Sequence, residues 1–315
     1  MGDTMLGRGV AERLRMAGPR SLFSDEVVAA VHEADFALAN LECCISERGT
    51  PAAKMFVFRA PPVATEALRH LGVHAVTLAN NHAVDFGTDA LLDTITYLDE
   101  AGIAHVGAGP DIESARRPLV CRVADVEVGI VGLSDHPAAF AAGSLRPGIA
   151  YASLERDDVP SWVTDAVRDL RTDVRLVTPH WGPNMVQTPL PYVQRAASAL
   201  LDAGATLIAG HSAHVFHGVA PSVIYDLGDF VDDYATDPLL RNDLGLLWLV
   251  DFARSADGIH PVRVEAVPIE LEFCFTRFAT GEPAAWITRR FVDACRELGT
   301  EARREDGRLV VDWPA

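Results

Sequence analysis

Ala75-Val76-Thr77-Leu78-Ala79-Asn80-Asn81-His82, continuing through Asp85 to Phe86-Gly87-Thr88, is the stretch on which the fold turns. Ala75 to Ala79 is short and apolar, and three polar side chains follow it ahead of a glycine-marked helix start. Turn chemistry accounts for one asparagine but not for the histidine beside it. The same order, an apolar run and then polar groups, most of them near a glycine, recurs three times. Phe36 to Leu41 precedes Glu42, Leu176 to Pro179 precedes His180-Trp181-Gly182, and Thr206 to Gly210 precedes His211 and His214. Near the start, Asp3 follows Gly2. Side chains at the ends of neighbouring strands meet in α/β folds, so these stretches predict a metal centre. Oxygen and imidazole donors without thiolates suit zinc, manganese or iron placed to activate water.

Working outward, helical periodicity covers Glu26 to Ala34, Val63 to Leu71, Thr88 to Ala101, Trp162 to Arg171, Tyr192 to Ala203 and Trp286 to Leu298. Strand-like runs alternate with these helices at Phe36 to Leu41, Ala75 to Leu78, Val174 to Thr178 and Thr206 to Ala209. A second texture occupies Pro118 to Leu133, where two β-rich runs flank Ala124-Asp125. It returns after Val219, where Val223 to Tyr225, Leu244 to Asp251 and Val262 to Ile269 read as antiparallel strands. The expected architecture is α/β: a four-layer α/β/β/α sandwich in one domain over 1–315, with the strands and helix of 243–315 completing the second sheet. Ala138 to Ala150 and Tyr234 to Asn242 read as long surface loops, the tail 299–307 as exposed, and Leu309 to Val311 as a terminal edge strand.

The chain of 315 residues is 49% hydrophobic, enough for a full core. Its formal charge of −17, from 44 acidic against 27 basic residues, argues against nucleic acid or anionic membrane surfaces as partners. Lys54 is the only lysine. Five cysteines without a zinc or disulfide spacing fit a reducing compartment, and Cys43-Cys44 reads as a pair of buried small hydrophobes. No membrane segment or secretory signal is legible, so the chain as written is expected to be cytoplasmic, or anchored or exported if its natural start lies upstream.

Taken in order, several motifs resemble those of the poly-γ-glutamate capsule-synthesis (CapA-type) proteins of the calcineurin-like metallophosphoesterase superfamily. They are Gly2-Asp3-Thr4-Met5-Leu6-Gly7-Arg8, Ala39-Asn40-Leu41-Glu42, Leu78-Ala79-Asn80-Asn81-His82 with Asp85 and Gly87, His180-Trp181-Gly182, Gly210-His211-Ser212-Ala213-His214, and Tyr225-Asp226-Leu227-Gly228-Asp229-Phe230. The resemblance implies a metallo-dependent phosphatase-like fold with two divalent metal ions, Mn, Fe or Zn. Asp3 and His214 would bind the first ion, Asn81, His180 and His211 the second, and Glu42 would bridge them. His82 would then be not a ligand but the nearby acid that protonates a leaving group or steadies the transition state, while Asp85 either orients His82 or caps the following helix. Lys54 and Arg59, in a stretch that the family also carries, are either two strand-end cations on a surface or would hold an anionic substrate, small or polymeric. If that stretch is a regular strand, alternation sets the two on opposite faces.

The chain departs from the pattern in three places. Met5 stands where most metallophosphoesterases have a histidine, which leaves the first ion poor in ligands. Ser212-Ala213 replaces a common His-Pro, and Asp226 and Asp229 replace common Ser and Asn. Without the apolar strand that precedes Gly-Asp in the family, Asp3 is expected to hang from a nearly free terminus. The leading expectation is hydrolysis of a phosphoester or of an amide of an acidic, γ-glutamyl-like substrate. The alternatives are a noncatalytic factor for assembling poly-γ-glutamate and a small-molecule biosynthetic enzyme reusing the metal centre.

Overall fold

The computed structural model describes residues 1–156 and 158–313. A first sheet of five parallel strands runs in the order Asp229–Val231, Asp3–Thr4, Leu38–Leu41, Ala75–Thr77 and Ala104–Val106. Helices Ala64–Leu71 and Thr88–Ala101 share an apolar cluster with its strands, and so do Arg8–Ala17 and Asp25–Val31. The second sheet has six strands in the order Val219–Ala220, Val223–Ile224, Leu207–Ala209, Val174–His180, Val126–Ser134 and Leu119–Val123. Its four inner strands are parallel and its two edges antiparallel.

Alternation along the second sheet explains the layering. Val131, Leu133, Val177 and Ile208 face helices Ser161–Asp169 and Pro191–Asp202, while Ile130, Leu176 and Leu207 face inward to join Leu38 and Val106 of the first sheet. The sheets approach closely there: a Cβ on Gly132 would lie 3.1 Å from Thr77 Oγ1. The expected α/β/β/α order is therefore present, and the hairpin around Ala124-Asp125 forms as expected.

The C-terminal segment differs from expectation. Leu244–Ser255, Gly258–Glu272, Phe275–Phe278, Arg303–Glu305 and Arg308–Asp312 do not complete the second sheet but form an antiparallel sheet of their own. The physical reason is local: the two long strands pair across a short turn through twelve residue partners, and Leu119–Val123 and Val219–Ala220 already occupy the edges of the second sheet. Leu246, Trp248, Val264 and Ala266, with Ile287 and Phe291 of helix Gly281–Glu297, instead close the core between the two main sheets. Arg308–Asp312 is not an edge, because Arg303–Glu305 lies outside it; the exposed tail expected at 299–307 thus contains a strand. Part of the loop expected over Ala138 to Ala150 also pairs, through Gly148–Ile149 with Ala108–Gly109.

Candidate metal centre

The ends of the first-sheet strands present a carboxylate-rich group. Asp3 does not hang free: its strand lies between Leu38–Leu41 and Asp229–Val231, and its backbone N–H donates to Gly228 O at 2.9 Å. This fit needs glycine before it, since a Cβ on Gly2 would come 1.8 Å from Gly228 O. Two asparagines then fix the carboxylate. Asn40 Nδ2 donates to Asp3 Oδ1 at 2.7 Å, and Asn80 Nδ2 donates to Asn40 Oδ1 and to Leu41 O, both at 2.9 Å. His214 Nδ1 lies 3.3 Å from Asp3 Oδ2 and 2.8 Å from Asp229 Oδ1.

The second-sheet strand ends present an imidazole-rich group. His180 closes Val174–His180, and a parallel bridge joins it to His211, so the two rings emerge side by side. Their Nδ1 atoms are 2.8 Å apart, and His211 Nε2 meets Thr178 Oγ1 at 3.1 Å. His211 Nδ1 lies 3.9 Å from Asp3 Oδ1, and His180 Nε2 lies 3.5 Å from Glu42 Oε1. The loop carrying His211 and His214 is held in a costly shape, with left-handed φ of 125° at Ser212 and 60° at His214. Three hydrogen bonds hold it: Ala213 N to Asp226 Oδ2 at 2.8 Å, Ser212 Oγ to Gly182 O at 2.9 Å, and Met185 N to Ala213 O at 2.9 Å.

Burial sets the charges of the two groups against each other. Burial pushes His211 down to about 4 and lowers His180 well below its ordinary value, so both imidazoles are neutral donors. Burial would lower His214 as well, but the Asp229 and Asp3 carboxylates outweigh it and raise that ring well above its ordinary value. Burial, then the Asp3 charge, pushes Glu42 well up.

His82 stands beside these groups. Its Nδ1 is 2.6 Å from Asp85 Oδ2, which also accepts from Phe58 N at 2.7 Å, and the Phe58 ring lies 4.4 Å from the imidazole. Asp85 thus orients His82 and does not cap the helix Thr88–Ala101, which has no side-chain cap. Burial lowers His82 to about 4 against the pull of Asp85. The segment 51–58 is irregular and only Arg59 lies in a strand, Arg59–Ala60, so strand alternation does not relate Lys54 to Arg59. Lys54 Nζ reaches Asp85 Oδ1 at 2.7 Å, Asn81 O at 2.6 Å and His82 Nδ1 at 3.1 Å. Arg59 is not brought to the ligands: it donates to Arg48 O at 3.0 Å, and its guanidinium sits 4.3 Å from the Phe86 ring centroid.

Ligand atoms of Asp3, His180 and His211 lie within 4.8 Å of one another, as do those of Asp3, Glu42 and His214. Asp3 is common to both groups, and Glu42, the expected bridge, belongs to the group with His214 and reaches the other through His180. Asp3 Oδ2, both Glu42 carboxylate oxygens, Asn81 Oδ1 and His180 Nε2 are buried with no hydrogen-bond partner. So many unpartnered acceptors are costly unless cations join them, and their chemistry fits hard or borderline divalent ions.

The sequence reading assigned no role to Asn40 and Asn80, whose signal was their place in polar turns after apolar runs. It also passed over His136, which follows the strand Val126–Ser134 by the same rule. The His136 ring lies 5.1 Å from that of His180, its Nδ1 bonds Asp135, and Asp135 Oδ2 accepts from Gly182 N and Tyr192 OH, both at 3.1 Å. The cysteines are all free, and Cys43 and Cys44 are buried in apolar surroundings. Among the described residues, no helix is long and apolar enough to cross a membrane.

The chain is similar to several known proteins. A probable polyglutamine synthesis accessory protein of Mycobacterium tuberculosis is 30% identical over 299 residues, covering 89% of this chain and 78% of its own. The PGA biosynthesis protein CapA of Bacillus subtilis is 27% identical over 324 residues, covering 99% of this chain and 81% of its own. Among solved structures, a phosphatase of Mycoplasma pneumoniae aligns with a TM-score of 0.43 at 14% identity, covering 78% of this chain and 80% of that one. The model of the bacterial capsule synthesis protein family, PGA_cap, matches residues 1–234, the span that carries every residue of the two groups, and the chain belongs to that family.

Proposed function

We propose that the chain is a metal-dependent hydrolase whose centre takes two divalent ions, one at Asp3, Glu42 and His214 and one at Asp3, Asn81, His180 and His211. Its substrate is anionic, small or polymeric, and the bond cleaved is a phosphoester or an amide of a γ-glutamyl-like group. The single observation that carries this reading is the convergence of two ligand groups on Asp3, with orphaned buried donors, beside the oriented pair His82–Asp85. When bound, such ions lower the pKa of coordinated water toward neutrality and polarise an oxygen of the substrate.

The chain's own residues supply the rest. Asp85 fixes the Nδ1 side of His82 and leaves Nε2 free; the ring, which burial keeps neutral, accepts a proton there from the attacking water and then passes it to the leaving group. Lys54 Nζ, held by Asp85 and the Asn81 carbonyl, offers a positive group at the same place for an anionic substituent. Asn40 and Asn80 keep Asp3 from rotating, so that its two oxygens stay aimed at the two groups.

The test is elemental analysis of the purified protein, followed by turnover of phosphomonoesters, phosphodiesters and γ-glutamyl amides with and without chelator. Chelator-sensitive hydrolysis of one class is expected. A second reading, a noncatalytic assembly factor for an anionic polymer, draws on the words "accessory protein" in the name of the mycobacterial relative. Metal-loaded protein that binds polyglutamate and turns over none of these substrates would establish that reading instead.

A further inference from the structure

Asp229 is not among the expected ligands, yet its carboxylate lies against His214 of the Asp3 group. Asp229 and Asp3 are direct partners on adjacent parallel strands, so their side chains leave the same face of the sheet. Asp229 Oδ1 is 2.8 Å from His214 Nδ1, and that nitrogen also lies 3.3 Å from Asp3 Oδ2. One ring nitrogen carries one proton, so it satisfies only one of two carboxylates. Asp229 is 2% exposed, and its Oδ2, like that of Asp3, is buried without a hydrogen-bond partner.

Asp226, three residues earlier, shows what a carboxylate that serves only the backbone looks like here. Its two oxygens accept from Ala213 N at 2.8 Å and from Gly228 N at 2.9 Å, and neither is left over. Asp229 has an oxygen to spare and a neighbour in the same condition. A divalent ion bound by carboxylates and imidazole takes about four to six donors, and Asp3, Glu42 and His214 supply three side chains.

We propose that Asp229 is a fourth protein ligand of the ion held by Asp3, Glu42 and His214. Three carboxylates and one imidazole make that position harder than the one built on His180 and His211. It therefore takes an oxygen-preferring ion such as manganese. The inference rests on the reading of the cluster as a metal centre, and the experiment separates the two.

Manganese titration of the full chain, followed by the electron paramagnetic resonance of free ion, is run on wild type, Asp229→Asn and His211→Ala, with near-ultraviolet circular dichroism to confirm folding. Two binding events are expected in wild type, and no binding there would overturn the metal centre itself. In Asp229→Asn one event is expected to weaken by about tenfold or more while the other is retained. Unchanged affinities in that variant would overturn the role of Asp229 alone. Because an outer carboxylate that merely orients His214 would also weaken binding, Asp229→Cys loaded with cobalt supplies a second readout. A thiolate-to-cobalt charge-transfer band absent from wild type places residue 229 on the ion, and bound cobalt without that band overturns the proposal.

Discussion

The two halves of the candidate centre meet at Asp3 by different means. The half on the second sheet needs only two adjacent parallel strand ends: pairing Val174–His180 beside Leu207–Ala209 sets His180 next to His211, and burial keeps both rings neutral and ready to donate. The half on the first sheet is assembled from acidic groups that repel one another. It needs glycine at a close approach, two asparagine clamps, the contact of His214 with Asp229 and a strained loop to stay together. Neutral donors tolerate an apolar setting without a cation, whereas a carboxylate cluster demands one. The first half is therefore the part whose local geometry depends on what it binds.

The sharpest way to break this comparison is His211→Ala, which removes one of two neutral donors at the second position. Loss of about one ion per chain by elemental analysis and a fall in turnover of at least ~10²-fold are expected, with the first-sheet ion retained. His82→Ala tests the group that belongs to neither half: metal content should stay at the wild-type level while turnover falls roughly 10²–10⁴-fold, and equal turnover would remove its role as acid. The basic residues come next. Lys54→Met is expected to raise KM for an anionic substrate by about tenfold through loss of a charged hydrogen bond, as steady-state kinetics would show, whereas Arg59→Met should change kcat/KM by less than about twofold.

The smallest effect separates ordinary burial from metal binding. His217, with Nε2 at 2.8 Å from Val186 O, is lowered by burial from 6.5 to about 4 and lies in neither ligand group. Between these values the unfolded chain binds a proton that the folded chain refuses, so stability falls as pH drops from about 6.5 to about 4, by roughly 1.4 kcal/mol per pH unit. In urea unfolding of the metal-loaded protein across that window, His217→Gln should reduce the slope by about one proton.

Much of this was legible in the residues. The strand–turn–helix alternation placed four polar turns at strand ends, and Thr88–Ala101 begins and ends where its periodicity, with glycine on either side, puts it. What the sequence hid is contact between distant segments. Leu244–Ser255 and Gly258–Glu272 read correctly as strands, but strand pattern does not say which sheet a hairpin joins. Helix Gly281–Glu297 starts ahead of the expected Trp286 because glycine and Pro283 obscure its first turn. Asp3–Thr4 is too short to show any period, so the setting of Asp3 between two strands was invisible, as was the capture of Lys54 by a histidine–aspartate pair 28 and 31 positions further on.

The place of Asp3 in the strand order also governs when the centre can exist. Its neighbours are Leu38–Leu41 on one side and Asp229–Val231 on the other, so the middle of the first sheet joins the earliest part of the chain to a segment near the end of the family-matched region. Contacts that close so long a loop form late and slowly. During synthesis, the residues around Asp3 must wait, buried in nothing, until residue 231 has left the ribosome. The carboxylate group is thus a product of completed folding rather than a seed for it, and chains cut short before that point leave Asp3 without its strand partner Asp229.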